Sequence, residues 1–273
     1  MLRCIIICLE SSLIMAILVF DIETIPDIES GRRLYELHDL SDEDTANALF
    51  ALRRAKTGHD FLPHHLQKII AISVVMSHAS QVKVWSLGEI QADEQELIQR
   101  FFSGIDKHTP TLVSWNGSGF DLPVLHYRAL LHGISAPTYW EAGDTIQGFR
   151  WNNYLSRFHY RHIDLMDILA AYQNKAFAPL DEISTMLGFP GKMGMSGDKV
   201  WQEYQAGNIK GIRDYCETDV LNTYCVYLRF ELMRGIISQN EYQHAIEQLR
   251  HHLAEQIDKP HLQEFLTRLN TGT

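Results

Sequence analysis

The sequence predicts an α/β protein with a mixed β-sheet. Three strand-like segments come first, at residues 16–20, 67–77 and 81–87, and the last of them alternates well enough to pair with the second as a hairpin. A segment with its apolar residues on one helical face, 93–104, and a short apolar run, 111–115, then follow. Successive strands followed by an alternation of helix and strand indicate a mixed sheet with helices on its faces.

The remaining elements are predicted to be helices. Pro26 and Asp27 mark a turn after the first strand, and the charged segment 31–56 is typical of one or two surface helices. From Leu165 onward almost the whole chain has helical character, interrupted by prolines and glycines. The predicted helices there are 165–173, 179–187, 198–206 and 208–234, followed by two more within 238–270 that break near Pro260.

The composition supports a folded domain and limits its partners. The chain has 273 residues, of which 45% are hydrophobic, and a net charge of −10. This charge argues against binding of duplex nucleic acid over a broad positively charged surface, but it is compatible with a small pocket that holds a few nucleotides through bound metals. The four cysteines contain no CxxC pair, so we expect reduced thiols and a cytoplasmic protein.

The first twenty residues contain two apolar runs separated by Glu10-Ser11-Ser12. Neither run is long enough to span a bilayer, so we expect no membrane association. Because the second run leads straight into the first strand, we expect Met15 to be the true start and residues 1–14 to be an upstream extension.

Two carboxylates follow the first apolar strand. Asp21 and Glu23 are two residues apart, so in an extended strand they point the same way. Two like charges at the end of a buried strand are unfavourable unless a cation binds there, and hard divalent cations prefer such oxygen ligands. The alternative is that the strand ends at residue 20 and leaves both acids in solvent.

Further acids lie in two later segments. Asp121 precedes Leu122-Pro123, where a strand opens into a glycine-bearing loop and then a helix, so it is a candidate helix N-cap and a candidate metal ligand, and one carboxylate can serve both roles. Tyr215 and Asp219 are four residues apart and lie on one side of a long helix, beside its buried stripe. The alternative for this pair is a core tyrosine and an aspartate bound to a surface arginine.

The three segments together resemble the motifs of the DEDDy 3'-5' exonucleases in order and approximate spacing. The sequences at 19–26, 115–123 and 215–220 look, more narrowly, like the predicted exonucleases related to the proofreading domain of family-B DNA polymerases. The resemblance covers about residues 16–235. It implies an RNase H-like domain at 15–235, and we expect residues 236–273 to form a helical C-terminal extension, a cap or arm on that domain.

The resemblance also implies a role for each of these residues, with two Mg²⁺ or Mn²⁺ ions as cofactors. Asp21 would bridge the two ions, and Asp121 would hold the second ion. Glu23 and Asp219 would complete the site of the ion that binds the attacking water. Tyr215 would orient that water in line with the scissile phosphate. Two such cations stabilise both the attacking and the departing oxygen of an in-line displacement.

We therefore expect an enzyme, a two-metal 3'-5' exonuclease. Its partners would be the 3' ends of single-stranded nucleic acid, with DNA favoured, and its products nucleoside 5'-monophosphates. One alternative is an exoribonuclease of the same superfamily, because nothing in the sequence reveals a contact to a 2'-hydroxyl. Another is an inactive nucleic-acid-binding module that keeps the fold. The sequence identifies no polymerase or repair partner.

Two groups of residues are candidates for holding the strand. Asn116 and Phe120 flank the glycines of the second motif and, by the same resemblance, would contact the terminal nucleotides. Their alternatives are a turn asparagine and a core phenylalanine. Arg150, Arg157 and Arg161 are interleaved with aromatic residues, which is typical of a groove that binds single strands. The alternative for this segment is a hairpin insertion with ordinary packing.

Other charged residues have simpler interpretations. Asp164 follows the aromatic-rich segment and is expected to cap a helix, although it could also lie near the acids. Lys192 and Lys199 bracket a loop rich in glycine and methionine. They could contact phosphate, and solvated loop lysines are the ordinary alternative.

Overall fold

Five strands form one mixed β-sheet within residues 16–79 and 81–272, the part of the chain that the computed structural model describes. The strands are β1 (Ile17–Pro26), β2 (Gln67–His78), β3 (Gln81–Ser86), β4 (Thr111–Ser114) and β5 (His162–Asp164). Their order is β3-β2-β1-β4-β5; β1, β2 and β3 are antiparallel neighbours, and β4 and β5 run parallel to β1. The predicted α/β class is confirmed, with an RNase H-like strand order. The upstream extension predicted at 1–14 lies outside the described residues.

β1 is longer than the sequence indicated. It continues to Pro26 and pairs with β2 along its whole length, whereas its parallel ladder to β4 covers only Ile17–Val19. Beyond that ladder, no strand of the described chain lies beside this edge of β1. Asp21 and Glu23 lie in the open stretch, inside the strand. The alternative that the strand ends at residue 20 is therefore wrong.

Helices lie on both faces of the sheet. They are α1 (Ile28–Tyr35), α2 (Asp42–Thr57), α3 (Glu94–His108), α4 (Asp121–His132), α5 (Pro137–Trp140), α6 (Leu165–Leu169), α7 (Leu180–Met186), α8 (Val200–Gln205), α9 (Ile209–Met233), α10 (Gln239–Glu255) and α11 (Pro260–Thr271). The side chains of Asp27, Ser41 and Asp93 cap α1, α2 and α3, and each cap stabilises its helix by about 1 kcal/mol. The charged segment thus forms two helices, and α11 begins at Pro260, where the break was predicted.

The segment before β5 contains no hairpin. Residues 147–150 form a 3-10 turn, and turns and bends continue to residue 161. The hairpin interpretation is therefore wrong. β5 itself was not predicted, because a strand of three residues is too short to show an alternating pattern.

Two apolar clusters enclose the sheet. Alternate residues of β1 face opposite sides: Val19 packs with α9 and the C-terminal helices, and Phe20 packs with α3 and α4. On the first side, Leu249 of α10 and Phe265 of α11 are fully buried in the same cluster as Val220 of α9. The C-terminal helices therefore share a core with the sheet.

Candidate active site

Asp21 and Glu23 lie where β1 packs against α9. Cys216 of α9 places its Sγ 3.5 Å from Oδ2 of Asp21. One ligand atom from each of Asp21, Glu23 and Cys216 lies within 4.8 Å of the other two. The two-residue spacing in β1 thus brings both carboxylates to one side of the strand.

Asp121 is the first residue of α4 and reaches back to β1. Its Oδ1 accepts a hydrogen bond of 3.1 Å from the N–H of Ile22, in the stretch of β1 that β4 leaves open. α4 begins after Phe120 without a side-chain cap, so the interpretation of Asp121 as an N-cap is wrong. The carboxylate satisfies a backbone group of β1 instead. It is only 3% exposed and acts electrostatically on Asp21.

α9 supplies the last acid. Asp219 is near enough to Asp21 and Glu23 for its charge to raise the pKa of both, after the larger effect of burial. Tyr215, one turn earlier on α9, is near the same carboxylates. The structure therefore brings five side chains together in one acid pocket: Asp21, Glu23, Asp121, Tyr215 and Asp219.

The acid pocket is unfavourable for four ionised carboxylates. Burial, followed by the charges of the neighbouring acids, holds the pKa of Asp21 and that of Glu23 well above their ordinary values. Burial raises the pKa of Asp121 to about 7 and that of Asp219 to about 6. Carboxylates crowded in this way are favourable in their ionised form only when a cation compensates their charge.

The Tyr215 hydroxyl keeps its proton at neutral pH. Burial raises the pKa of Tyr215, and the charges of Asp219 and Glu23 raise this pKa further. The hydroxyl is therefore a hydrogen-bond donor rather than a nucleophile.

The glycine–methionine loop, residues 188–199, brings a cation to the acid pocket. Asn222 of α9 holds Gly191 through two hydrogen bonds: its Oδ1 accepts from the N–H at 3.1 Å, and its Nδ2 donates to the carbonyl at 2.8 Å. Gly191 has a φ of +62°, and a Cβ there would lie 2.7 Å from Oγ1 of Thr185. Burial raises the pKa of Asp219, and the charge of Lys192, the next residue in the loop, opposes that shift. Sequence reasoning missed Asn222, because one buried asparagine within a helix has no distinctive pattern.

The loop between β4 and α4 carries Asn116 and Phe120 to the side of Asp121. Asp164 fixes this loop, since its two carboxylate oxygens accept hydrogen bonds from the N–H groups of Asn116 and Ser118 at 2.9 and 2.8 Å. The same side chain caps α6, so the predicted cap at Asp164 is confirmed.

Phe120 belongs to a small aromatic group that sequence reasoning missed. Its ring centroid lies 5.5 Å from that of Phe61 and 5.7 Å from that of His64. Nε2 of His64 is hydrogen-bonded to the carbonyl of Gly119 at 2.9 Å. Phe61 is 57% exposed, so an apolar ring faces solvent beside the second motif. Its segment has no regular secondary structure, and no periodicity marks it.

The three arginines of the aromatic-rich segment have different surroundings. Arg150 is exposed. Arg157 forms an ion pair of 2.7 Å with Asp167 and lines a cleft of about 560 Å³ that also includes Asn116. Arg161 donates to two backbone carbonyls and lies 4.7 Å from the centroid of an aromatic ring. Of the three, only Arg157 lines the cleft that adjoins the second motif.

Comparison with known proteins identifies the family of the chain. Residues 59–269 match the family of predicted 3'-5' exonucleases related to the exonuclease domain of PolB. The chain belongs to this family. The matched residues include Asp121, Tyr215 and Asp219, whereas Asp21 and Glu23 precede the match.

Among solved structures, the chain is similar to the family B DNA polymerase from the hyperthermophilic archaeon Pyrobaculum calidifontis, with a TM-score of 0.48 and 18% identity. The similarity covers 80% of this chain and 24% of that polymerase chain, so this protein spans about a quarter of its length. A search of the curated proteins finds no match. Within the described residues, no helix is long and apolar enough to cross a bilayer.

Proposed function

We propose that this protein is a divalent-metal-dependent 3'-5' exonuclease. It hydrolyses single-stranded nucleic acid, DNA by preference, to nucleoside 5'-monophosphates. The observation that carries the proposal is the meeting of four carboxylates and one tyrosine, contributed by β1, α4 and α9, in one pocket. Family membership supports the type of reaction and its direction.

The donor set of the acid pocket fits two Mg²⁺ or Mn²⁺ ions. Burial raises the pKa values of its four carboxyl groups, and repulsion by neighbouring acids of the pocket adds to the shift at Asp21 and Glu23. Hard divalent cations prefer carboxylate oxygens and would remove this repulsion. The residues that would hold the ions are Asp21, Glu23, Asp121 and Asp219. When bound, such ions stabilise the negative charge that develops during phosphodiester hydrolysis.

Neighbouring side chains would orient the reactants. Tyr215 keeps its proton and would hold the attacking water by a hydrogen bond beside Asp219. Lys192 would attract the scissile phosphate by its charge. Asn116 would bond to sugar or phosphate, and the ring of Phe120 would stack on an unpaired base, which contributes about 1–3 kcal/mol.

A single strand suits the surroundings of this pocket better than a duplex. The chain carries a net charge of −10, which disfavours the long phosphate contacts of duplex binding. The cleft of about 560 Å³ that starts at Asn116 also contains Arg157 and Trp140. There, a phosphate of the upstream strand would lie near the guanidinium of Arg157, and an unpaired base would stack near the ring of Trp140.

The test is the degradation of a 5'-labelled single-stranded DNA oligonucleotide. With Mn²⁺ we expect progressive shortening from the 3' end and release of nucleoside 5'-monophosphates, and with EDTA we expect neither. Asp21→Asn and Asp219→Asn should lower the rate by orders of magnitude, because each removes part of the cation-binding set. Asp258→Asn, at an exposed position on the C-terminal part, is the matched control and should retain the wild-type rate.

Parallel reactions decide between the proposal and its competitors. RNA of the same sequence, degraded faster than DNA, would establish an exoribonuclease instead. Binding of DNA without any shortening in Mg²⁺ or Mn²⁺ would establish an inactive binding module. Degradation that starts from the 5' end would contradict the proposed direction.

A further inference from the structure

A buried chain of hydrogen bonds connects the C-terminal helices to the acid pocket. Its centre is Glu217 of α9, which is 4% exposed. Oε2 of Glu217 lies 3.1 Å from Nζ of Lys259 and 2.8 Å from Nε2 of His261. Nδ1 of the same imidazole lies 3.3 Å from a carboxylate oxygen of Asp214, also on α9. The start of α11 is therefore bound to α9 by charged groups as well as by the shared apolar core.

The other oxygen of Glu217 binds the end of β3. Oε1 accepts hydrogen bonds from both the N–H and the Oγ of Ser86, each at 2.9 Å. Oγ of Ser86 lies 3.0 Å from Oγ of Ser73, which is opposite Asp21 in the ladder between β1 and β2. Ser73 also bonds to the thiol of Cys216, whose Sγ is 3.5 Å from Oδ2 of Asp21. The path from α11 to Asp21 is continuous.

Arg213 provides a second point of attachment on α9. Its guanidinium donates to the carbonyl oxygens of residues 86–89, at distances between 2.7 and 3.3 Å. Arg213 and Glu217 are four residues apart, so they lie on the same side of the helix. Tyr215 is two positions from both of them and Asp219 is two positions from Glu217, which places each roughly 200° around the helix. Two attachments on one side of α9 thus determine where the opposite side points.

We propose that Glu217 is a positioning residue for the acid pocket, and that the C-terminal helices hold it in place. By joining α9 to β3 and α11, it sets the rotation at which Tyr215 and Asp219 face Asp21. A rotation of roughly 10° would move a side-chain tip about 6 Å from the helix axis by about 1 Å. A displacement of about 1 Å can lower a rate about 10²-fold. This inference rests on the proposed exonuclease function.

The test compares two buried glutamates of the same helix. Glu217→Gln should lower kcat on single-stranded DNA about 10²-fold and leave KM within twofold of the wild type. Glu231→Gln is the matched control, since Glu231 is 7% exposed and paired with Arg234 at 2.8 Å at the far end of α9. It should leave kcat and KM within twofold. Ser86→Ala removes the hydroxyl that contacts Glu217 and Ser73 and keeps the N–H that donates to Glu217, so it should lower kcat in the same direction but by less.

Further measurements separate positioning from loss of folding. Circular dichroism and urea unfolding establish which variants are folded, and Ser86→Ala decides the question if Glu217→Gln does not fold. Mn²⁺ titration by calorimetry should show weaker binding to Glu217→Gln than to Glu231→Gln, because Asp219 moves with the helix. The double variant Ser86→Ala/Glu217→Gln should be no slower than Glu217→Gln, since both changes break one chain.

The outcomes are distinct. A wild-type protein that degrades DNA, together with an unchanged kcat in folded Glu217→Gln or Ser86→Ala, overturns the positioning role and leaves the exonuclease function standing. An equal loss of kcat in Glu231→Gln also overturns it, because the effect would then reflect general destabilisation of α9. A wild-type protein that degrades no strand overturns the proposed function and this inference with it.

Discussion

Replacement of Asp121 by asparagine should stabilise the metal-free protein and remove the nuclease activity that we propose for it. Asparagine retains an oxygen that can accept the hydrogen bond from the N–H of Ile22, so the link between α4 and β1 remains. The substitution removes a negative charge from a position that is 3% exposed and acts on Asp21. Repulsion within the acid pocket therefore decreases, and so should the cation binding that we propose for it.

The size of the effect follows from the pKa of Asp121, which burial raises from an ordinary 3.8 to about 7. A shift of about three units corresponds to about 4 kcal/mol, at about 1.4 kcal/mol per unit. The folded protein keeps this proton to a higher pH than the unfolded chain does. Its free energy of unfolding therefore falls as the pH rises from about 4 to about 7. Because asparagine does not ionise, the Asp121→Asn protein does not lose this part of its stability.

Urea unfolding in EDTA at pH 5 and pH 8 measures the difference. The wild-type protein should be less stable at pH 8, and Asp121→Asn should exceed it there by up to about 4 kcal/mol. Addition of Mn²⁺ at pH 8 should reduce or reverse this difference. A cation that binds only the folded wild type stabilises it by about 2.7 kcal/mol at 100 times its Kd.

Exposed Asp258 is again the matched position, and Asp258→Asn should change stability at neither pH. Equal stability of the wild type and Asp121→Asn at pH 8 in EDTA would refute the reasoning. It would mean that the ionised carboxylate of Asp121 does not destabilise the folded protein.

Three further predictions concern single side chains. Tyr215→Phe removes only a hydroxyl, so kcat should fall about 10²-fold while Mn²⁺ affinity, measured by calorimetry, stays within twofold; an unchanged kcat contradicts the orienting role. Arg128→Met leaves Asp27 and Glu94 buried without their cation, so urea unfolding at pH 7 should show a loss of about 3–5 kcal/mol, and a loss under about 1 kcal/mol contradicts this. Asn222→Ala releases the glycine–methionine loop from α9; stability should fall by about 1–3 kcal/mol and kcat should fall with it, and an unchanged kcat contradicts a role of the loop in the reaction.

The paired spacing of the acids could be predicted because it follows local rules. Asp21 and Glu23 share a strand, whose side chains repeat every two residues, and Tyr215 and Asp219 share a helix, whose side chains repeat about every 3.6 residues. Each pair therefore lies on one side of its element. The meeting of these pairs was predicted from the family resemblance and not from the spacing. The contact of Asp121 with β1 could not be predicted locally, since it depends on where β4 ends.

Long-range packing accounts for most of what the sequence did not reveal. The bonds from Asn222 to Gly191 and from Glu217 to Ser86 join residues 31 and 131 positions apart. Such partners are brought together only by the folded sheet. The arginine-rich segment illustrates the same limit, because composition places cations in a segment but does not set their direction. Arg161 turns back onto the body of the protein.

Because β4 is short, the sequence tolerates few insertions that would lengthen this strand. If β4 continued alongside β1 for a few more residues, its backbone would take over the amide of Ile22 and displace Asp121. The N–H of Ile22 can therefore bond either to a longer β4 or to Asp121, but not to both. We therefore expect an insertion that prolongs β4 to disrupt the acid pocket as much as the loss of one of its carboxylates, although the insertion would change none of the pocket's residues.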